Sequence, residues 1–92
     1  MRVKIRSFAE FRNILGKEID TDLPGDVAVV GDLLNMLCRD HPLLEPLLFR
    51  KGRLREDVNI FLSGKNIDSL QSLQTPLADG DELALFTAAI GG

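Results

Sequence analysis

One amphipathic helix constrains the fold of this chain more than any other feature. Apolar residues recur at i, i+3, i+4, i+7 and i+8, the pattern of a helix with one buried face. They are Val30, Leu33, Leu34, Leu37 and Cys38. The pattern predicts a helix over about residues 30–41, and Pro42 predicts where it ends. A stripe of this width needs an apolar surface to pack on, and the rest of the chain must supply it.

The segments before the helix alternate in the manner of β-strands. Residues 2–7 alternate basic with uncharged side chains, and residues 18–23 alternate acidic with uncharged ones. A period of two predicts strands with one solvated face, and the opposite charges favour their pairing as a hairpin. Between them, Phe8, Phe11 and Leu15 recur at helical spacing, so we expect a short turn of helix there.

The second half of the chain returns to strand patterns. Residues 43–56 look irregular, because Pro46 breaks an apolar run and a basic loop follows. Alternation resumes at 58–62, a turn at 64–67 leads into a short strand, and 82–87 alternates again. A hairpin, a crossover helix and returning strands predict an α+β domain. Its one main helix packs on one face of a mixed sheet.

Charge and cysteine content exclude several classes of protein. A net charge of −3 over 92 residues gives no reason to expect nucleic acid or an anionic membrane as a partner. No apolar run reaches the ~18–20 residues of a membrane span, and none near the start resembles a signal peptide. A single cysteine permits no internal disulfide, as is usual in a reducing compartment. We therefore expect a cytoplasmic domain.

No catalytic constellation or metal site is predicted. Cys38 lies on the apolar stripe of the helix, which favours a buried thiol over a nucleophile. His41 precedes Pro42 at the helix end, where it is expected to interact with terminal carbonyls. One cysteine and one histidine cannot form a Cys/His metal cluster. We expect a protein that is not an enzyme and has no cofactor of its own.

A run of basic residues offers an alternative partner. Arg50, Lys51, Arg53 and Arg55 fall within six positions, which would suit a nucleic-acid contact. The chain has no tryptophan or tyrosine to stack on bases, and acidic residues follow directly. The sequence therefore disfavours nucleic acid.

The chain ends in Gly91 and Gly92, after Ala88, Ala89 and Ile90. Glycine has no Cβ, so such a tail can lie extended in a channel too narrow for other residues. We expect residues 1–87 to form the folded domain and 88–92 a flexible tail with a terminal carboxylate. The alternative is that small residues at a chain end have no special role.

Together these segments resemble the β-grasp sulfur carriers and ubiquitin-like modifiers. Residues 2–12 resemble the start of the small subunit of molybdopterin synthase (MoaD), and residues 30–42 resemble its helix. Residues 76–86, followed by Gly91 and Gly92, are the most specific match. The region around Phe49 and the Asp-Glu-Leu-Ala-Leu-Phe ending are most similar to the archaeal small modifier proteins (SAMP).

The chain departs from the family pattern in two places. Thr87 and Ala88 stand where the family usually has two prolines, which argues against a dedicated role in molybdopterin synthase. Val29 stands before the helix where threonine is frequent, and losing that cap is expected to cost ~1 kcal/mol.

The resemblance implies a β-grasp fold of four or five strands and a chemistry centred on the tail. An ATP-dependent, E1-like enzyme would adenylate the Gly92 carboxylate, with Gly91 beside it in the same channel. The activated group would become a thiocarboxylate or an isopeptide bond to a target-protein lysine. The alternatives are a small subunit that binds the large subunit of molybdopterin synthase, and a non-covalent binding module.

Strand alternation predicts the surface that meets a partner. If Leu83 and Leu85 face the helix, then Ala84 and Phe86 face outward, and Phe61 faces outward on a neighbouring strand. Three basic residues of the first strand would flank this patch: Arg2, Lys4 and Arg6. The alternative is that residues 43–56 cover the phenylalanines.

Lysines are possible sites of self-conjugation if the tail forms isopeptide bonds. The candidates are Lys4, Lys17, Lys51 and Lys65. The sequence does not rank them.

Overall fold

The computed structural model describes residues 1–87, so the predicted tail lies outside the described residues. The strands are β1 (Arg2–Ser7), β2 (Glu18–Asp22), β3 (Phe49–Arg50), β4 (Arg53–Leu54), β5 (Val58–Leu62), β6 (Lys65–Asn66) and β7 (Glu82–Thr87). The α-helices are α1 (Glu10–Leu15), α2 (Val30–Asp40) and α3 (Glu45–Leu48). Short 3₁₀ turns occupy Pro42–Leu44, Ile67–Ser69 and Ser72–Gln74.

The main sheet is mixed and has five strands in the order β2-β1-β7-β5-β6. The central strands β1 and β7 are parallel, and the other neighbours are antiparallel. The β1–β2 hairpin aligns Arg2 with Asp22 and Arg6 with Glu18, so the predicted pairing of a basic with an acidic strand is confirmed. A hairpin, a crossing helix and a parallel return to the first strand form the β-grasp fold that the sequence predicted.

The core lies between α2 and the inward face of the sheet. Val30, Leu33, Leu34 and Leu37 of α2 are buried, and they pack in one cluster with residues of the central strands such as Ile5. Each large buried side chain contributes roughly 1.5–3 kcal/mol to the free energy of unfolding. The apolar stripe of the sequence therefore becomes the centre of the domain.

Cys38 differs from its prediction, because the thiol is half-buried at the margin of the core. Cys38, residue i+8 of the stripe, falls in the last turn of α2. Burial raises the pKa of the Cys38 thiol, and the charge of Glu45 raises that pKa further. The group therefore favours the unreactive thiol form, as a structural role requires.

The ends of α2 are closed by backbone groups and one carboxylate. Val29 has no side-chain acceptor, but its N–H donates to Oδ2 of Asp32 at 2.9 Å, which partly replaces the missing cap. At the other end the backbone N–H of His41 donates to the carbonyl oxygen of Leu37 at 2.8 Å. The His41 ring makes no hydrogen bond to any residue that the structure describes, so the expected ring contact was wrong.

Pro46 does not break the apolar run that contains it, contrary to the sequence prediction. It lies in the first turn of α3, where a helix does not need the N–H that proline lacks. Leu44 and Leu48 on either side are fully buried in the main core. This segment is therefore anchored on the helix side of the sheet.

Residues 49–54, which we name the basic hairpin, were also expected to be irregular. They form a two-stranded sheet of β3 and β4, in which Phe49 pairs with Leu54 and Arg50 pairs with Arg53. Strands of two residues are too short to show a period in sequence, which is why the pattern was missed.

Ser7 provides a test of the packing. Ser7 is the last residue of β1. Its Oγ is buried and has no hydrogen-bond partner among residues 1–87. An unsatisfied buried hydroxyl costs about 1–3 kcal/mol, so we expect Ser7→Ala to stabilise the protein by ~1 kcal/mol. For a domain of this size that is a rise in Tm of roughly 4–8 °C, measurable by calorimetry.

Ser63→Ala is the matched control, because the Ser63 hydroxyl is satisfied. It donates to Oδ1 of Asp81 at 3.0 Å and accepts from the N–H of Glu82 at 3.3 Å. That variant is expected to lower Tm. Falls in Tm for both variants would show that the Ser7 hydroxyl has a partner after all.

Candidate partner interface

The outward face of the sheet brings together the residues that the alternation singled out. β7 lies between β1 and β5, with Ala84 aligned with Arg6 on one side and with Phe61 on the other. Phe86 comes two residues later on the same face, while Leu83 and Leu85 are buried on the opposite face. The predicted neighbourhood and facing of these strands are therefore confirmed.

Three phenylalanines form an aromatic cluster on this face: Phe8, Phe61 and Phe86. The ring centroids of Phe61 and Phe86 are 5.3 Å apart with the planes tilted by 38°. Phe8 meets Phe86 edge-on, at 6.0 Å and 86°. All three rings are half-buried and none belongs to the main core. The cluster therefore presents part of its apolar surface to solvent.

Sequence reasoning missed Phe8 because it assigned that ring to the α1 pattern. The helix begins at Glu10, and only Phe11 and Leu15 of the predicted set are buried by it. Ala9 has a positive φ of 52°, which turns the chain between β1 and α1. Phe8 is thereby left beside Phe86 on the outer face, and the only sequence signal was its position directly after a strand.

Residues 43–56 do not cover the aromatic cluster. Five of their apolar side chains pack against the main core, on the helix side of the sheet: Leu44, Leu47, Leu48, Phe49 and Leu54. Leu43 is largely exposed. The alternative that this segment hides Phe61 and Phe86 is therefore unsupported.

Two arginines lie over the exposed part of the cluster. The guanidinium carbons of Arg6 and Arg12 are 5.8 Å and 5.6 Å from the centroid of the Phe8 ring. Arg6 is also 3.4 Å from Glu82, and Arg12 donates from Nε to the carbonyl oxygen of Ser7 at 3.3 Å. An apolar centre with a charged rim is typical of a protein-binding surface. The sequence did not indicate Arg12.

Only Arg6 of the three basic β1 residues reaches the cluster. Lys4 aligns with Glu82 rather than Ala84, and its Nζ lies 4.0 Å from Glu18. Arg2 lies at the far end of β1, where a hydrogen bond to Asp22 raises the pKa of its guanidinium. The expectation that Arg2 and Lys4 flank the patch was wrong, because each step of two residues along a strand moves a side chain by about 7 Å.

The cluster lies at the end of the sheet where β7 leads towards the C-terminus. β1 and β7 are parallel, so Phe8, directly after β1, is at the same end as Thr87. Gly91 and Gly92 lie outside the described residues, and their role stays a prediction. A chain of five residues spans at most about 18 Å.

The four candidate lysines are all exposed on the described surface: Lys4, Lys17, Lys51 and Lys65. Lys4 is paired with Glu18, and the other three form no ion pair within residues 1–87. Exposure alone does not rank them as acceptors.

The described part of the chain shows no group of three metal-ligating side chains, and no helix in it could cross a membrane. The chemistry that the described surface supports is recognition, since it combines an apolar cluster with the cations Arg6 and Arg12 at its rim.

The fold and this outward surface define a ubiquitin-like β-grasp domain. Comparison with known proteins identifies the family, because the sequence profile of the ThiS family matches residues 5–92. The chain belongs to the ThiS family, and the predicted resemblance is confirmed.

Two similar proteins come from Haloferax volcanii, and the structure of one of them is known. Small archaeal modifier protein 3 is 32% identical over 92 residues and covers all of both chains. Small archaeal modifier protein 1 is 37% identical over 87 residues, which are 92% of this chain and 94% of that protein. The crystal structure of SAMP1 superposes with a TM-score of 0.84 at 34% identity, over the full length of both chains.

Proposed function

We propose that this protein is a ubiquitin-like modifier, a sulfur carrier, or both, and that an E1-like enzyme activates its Gly92 carboxylate. The observation that carries the proposal is the aromatic cluster at the end of the sheet where β7 leads to Gly91 and Gly92. Family membership and similarity to small archaeal modifier proteins support it. An ATP-dependent reaction and a lone cysteine fit a cytoplasmic location.

The tail needs activation because a carboxylate at neutral pH is a poor electrophile. In the first step a carboxylate oxygen attacks the α-phosphorus of ATP, pyrophosphate leaves, and an acyl-adenylate forms. In the second step a nucleophile attacks the acyl carbon and AMP leaves. A sulfide nucleophile gives a thiocarboxylate, and the ε-amine of a target lysine gives an isopeptide bond after losing its proton.

This chain and the adenylating enzyme have different roles in the reaction. This chain supplies the reacting carboxylate and a surface for docking, and the enzyme supplies the groups that stabilise the transition state. Docking at Phe61 and Phe86 would hold the domain while Gly91 and Gly92 enter the active site. Binding energy from a surface remote from the reacting atoms can thereby position those atoms.

The fate of the Gly92 carboxylate distinguishes this proposal from two alternatives. A thiocarboxylate delivered to the large subunit of molybdopterin synthase would make this chain a small subunit of that enzyme. Thr87 and Ala88, in place of the family's prolines, disfavour that assignment. A non-covalent binding module would dock in the same way but leave Gly92 unmodified.

Phe86→Asp tests the docking surface. A central aromatic residue of an interface contributes about 2 kcal/mol or more, so we expect the Kd for the adenylating enzyme to rise roughly 30-fold or more. Tm should fall by no more than a few degrees, since Phe86 lies outside the main core. Binding is measured by calorimetry and folding by circular dichroism.

Val27→Asp is the matched control, because Val27 is 90% exposed and lies in the loop before α2. It places the same charge on an apolar position away from the sheet face and should leave Kd within twofold. Equal losses for the two variants, or unfolding caused by Phe86→Asp, would contradict the proposed interface.

A further inference from the structure

The basic hairpin carries three exposed cations without an obvious structural role. Arg50, Lys51 and Arg53 form no ion pair within residues 1–87. Of the other cations in these residues, five form ion pairs (Arg2, Lys4, Arg6, Arg39 and Arg55). Arg12, Lys17 and Lys65 do not, but they lie apart from one another in the sequence. The hairpin therefore concentrates uncompensated positive charge on one short loop.

The arrangement of these residues opposes the stability of the hairpin. Arg50 is directly opposite Arg53, and like charges at paired positions destabilise a hairpin. Lys51 and Gly52 have φ values of 53° and 76°, as in a tight turn whose first position usually holds Asn, Asp or Gly. Residues that strain a local structure without stabilising the fold point to a function.

The backbone that carries these cations is held in place by the packing and hydrogen bonds of the neighbouring residues. Phe49 and Leu54 pair across it and pack against the main core. Arg55, which follows, donates to both carboxylate oxygens of Asp57 at 3.1 Å and 2.8 Å. It also donates to the carbonyl oxygen of Pro46 at 3.2 Å, which ties the hairpin to α3.

A groove of about 500 Å³ runs beside the cations and is lined by Arg50, Arg53, Leu54, Arg55, Glu56 and Asp57. Asp57 is engaged by Arg55, so Glu56 is the one carboxylate of this lining without an ion pair inside the described residues. The unpaired charge of the lining is therefore positive on balance and suits an anionic ligand.

The hairpin joins the main sheet near the end of β7. Val58, the first residue of β5, pairs with Thr87, and its N–H donates to the carbonyl oxygen of Arg55 at 3.2 Å. The aromatic cluster lies at the same end of the sheet. A partner that received the chain beyond Thr87 would meet the aromatic cluster and the basic hairpin on either side.

We propose that the basic hairpin is a second docking surface, which binds an aspartate- and glutamate-rich surface of the protein that activates Gly92. This inference rests on the proposed function for the identity of that protein. Electrostatic pairing of this kind chiefly accelerates association and fixes orientation. The aromatic cluster provides apolar contact, and the hairpin steers the approach.

An acidic protein surface fits the observations better than a nucleic acid. Phe49, the one aromatic residue of the hairpin, packs against the core, so the hairpin itself offers no free ring to stack on bases. Glu56 in the groove and the net charge of −3 would repel a long polyanion. A protein surface needs only a few carboxylates at matched positions.

The first test measures association with the adenylating enzyme by stopped flow at several salt concentrations. The variant Arg50→Glu/Arg53→Glu is expected to lower the association rate constant about tenfold or more at low ionic strength. The difference should shrink at high salt, and the dissociation rate constant should change little. The control is Lys17→Glu/Lys65→Glu, which changes the net charge equally at exposed lysines elsewhere. Equal losses for both variants, or none, would overturn the proposal.

The second test needs neither the enzyme nor ATP. A deca-glutamate peptide is titrated into the ¹⁵N-labelled full chain, and amide shifts are expected at residues 50–54 and not in the Arg50→Glu/Arg53→Glu variant. Stronger binding of a ten-nucleotide oligothymidylate at the same salt would overturn the proposal in favour of nucleic acid. Absence of shifts with deca-glutamate would overturn it outright, whatever the oligothymidylate does. A protein that shows these shifts but is never adenylated would refute the proposed function and leave the acid-binding surface intact.

Discussion

Deletion of Gly92 is expected to abolish activation and leave the fold intact. The shortened chain still ends in a glycine, but its carboxylate stops about 3.5 Å short of the position that the enzyme must reach. Misplacement of a reacting atom by 1 Å can cost about 100-fold, so exchange of ATP with pyrophosphate should fall at least that far. The assay measures labelled pyrophosphate entering ATP in the presence of the adenylating enzyme.

Ala88→Gly is the control for this deletion, because it alters the tail but keeps its length and its last residue. It should support exchange at close to the normal rate. Tm should change by less than about 2 °C in both variants, since neither changes the core that residues 1–87 form. Equal exchange by the deleted and the intact chain would show that Gly92 is not the activated residue.

Leu34→Asp is expected to unfold the domain. Leu34 has no exposed surface and lies in the middle of the α2 stripe, so an aspartate there would be a buried charge without a partner. That penalty, added to the lost apolar contacts, reaches ~5 kcal/mol or more. A domain of this size has about 5–15 kcal/mol of stability in total. Most of the native circular dichroism should therefore be lost at 25 °C.

Asn35→Asp places the same charge one residue further along α2, on its exposed side. It should shift the free energy of unfolding by less than about 0.5 kcal/mol in guanidinium titrations. A cooperative transition for Leu34→Asp with a midpoint near that of the wild type would contradict the packing of α2 on the sheet.

The long elements of the fold could be predicted because their side chains repeat with a clear period. The α2 stripe and the alternation in β1, β2, β5 and β7 gave both the elements and their buried faces. The same period of two predicted that Phe61, Ala84 and Phe86 lie together on the outer face. Residues paired across neighbouring strands point to the same face of a sheet.

The remaining features depend on single residues or on tertiary contacts that leave no period. The turn at Ala9 sends Phe8 to the outer face, and the position of Pro46 in α3 turns an apparent break into a helix start. The basic hairpin forms because Phe49 and Leu54 pack on a distant core. The predicted role of Gly92 came from the family resemblance, since two glycines at a chain end are weak evidence by themselves.

The most direct test of the central claim is mass spectrometry of N-terminally tagged protein isolated from its own cells, with the Gly92-deleted chain as control. The last trypsin site follows Lys65, so a conjugate would carry residues 66–92 on its target lysine. We expect either a mass increase equal to exchange of oxygen for sulfur at the C-terminus, or covalent adducts, and neither in the control. Unmodified chain in both samples under several growth conditions would contradict activation and leave a non-covalent binding module.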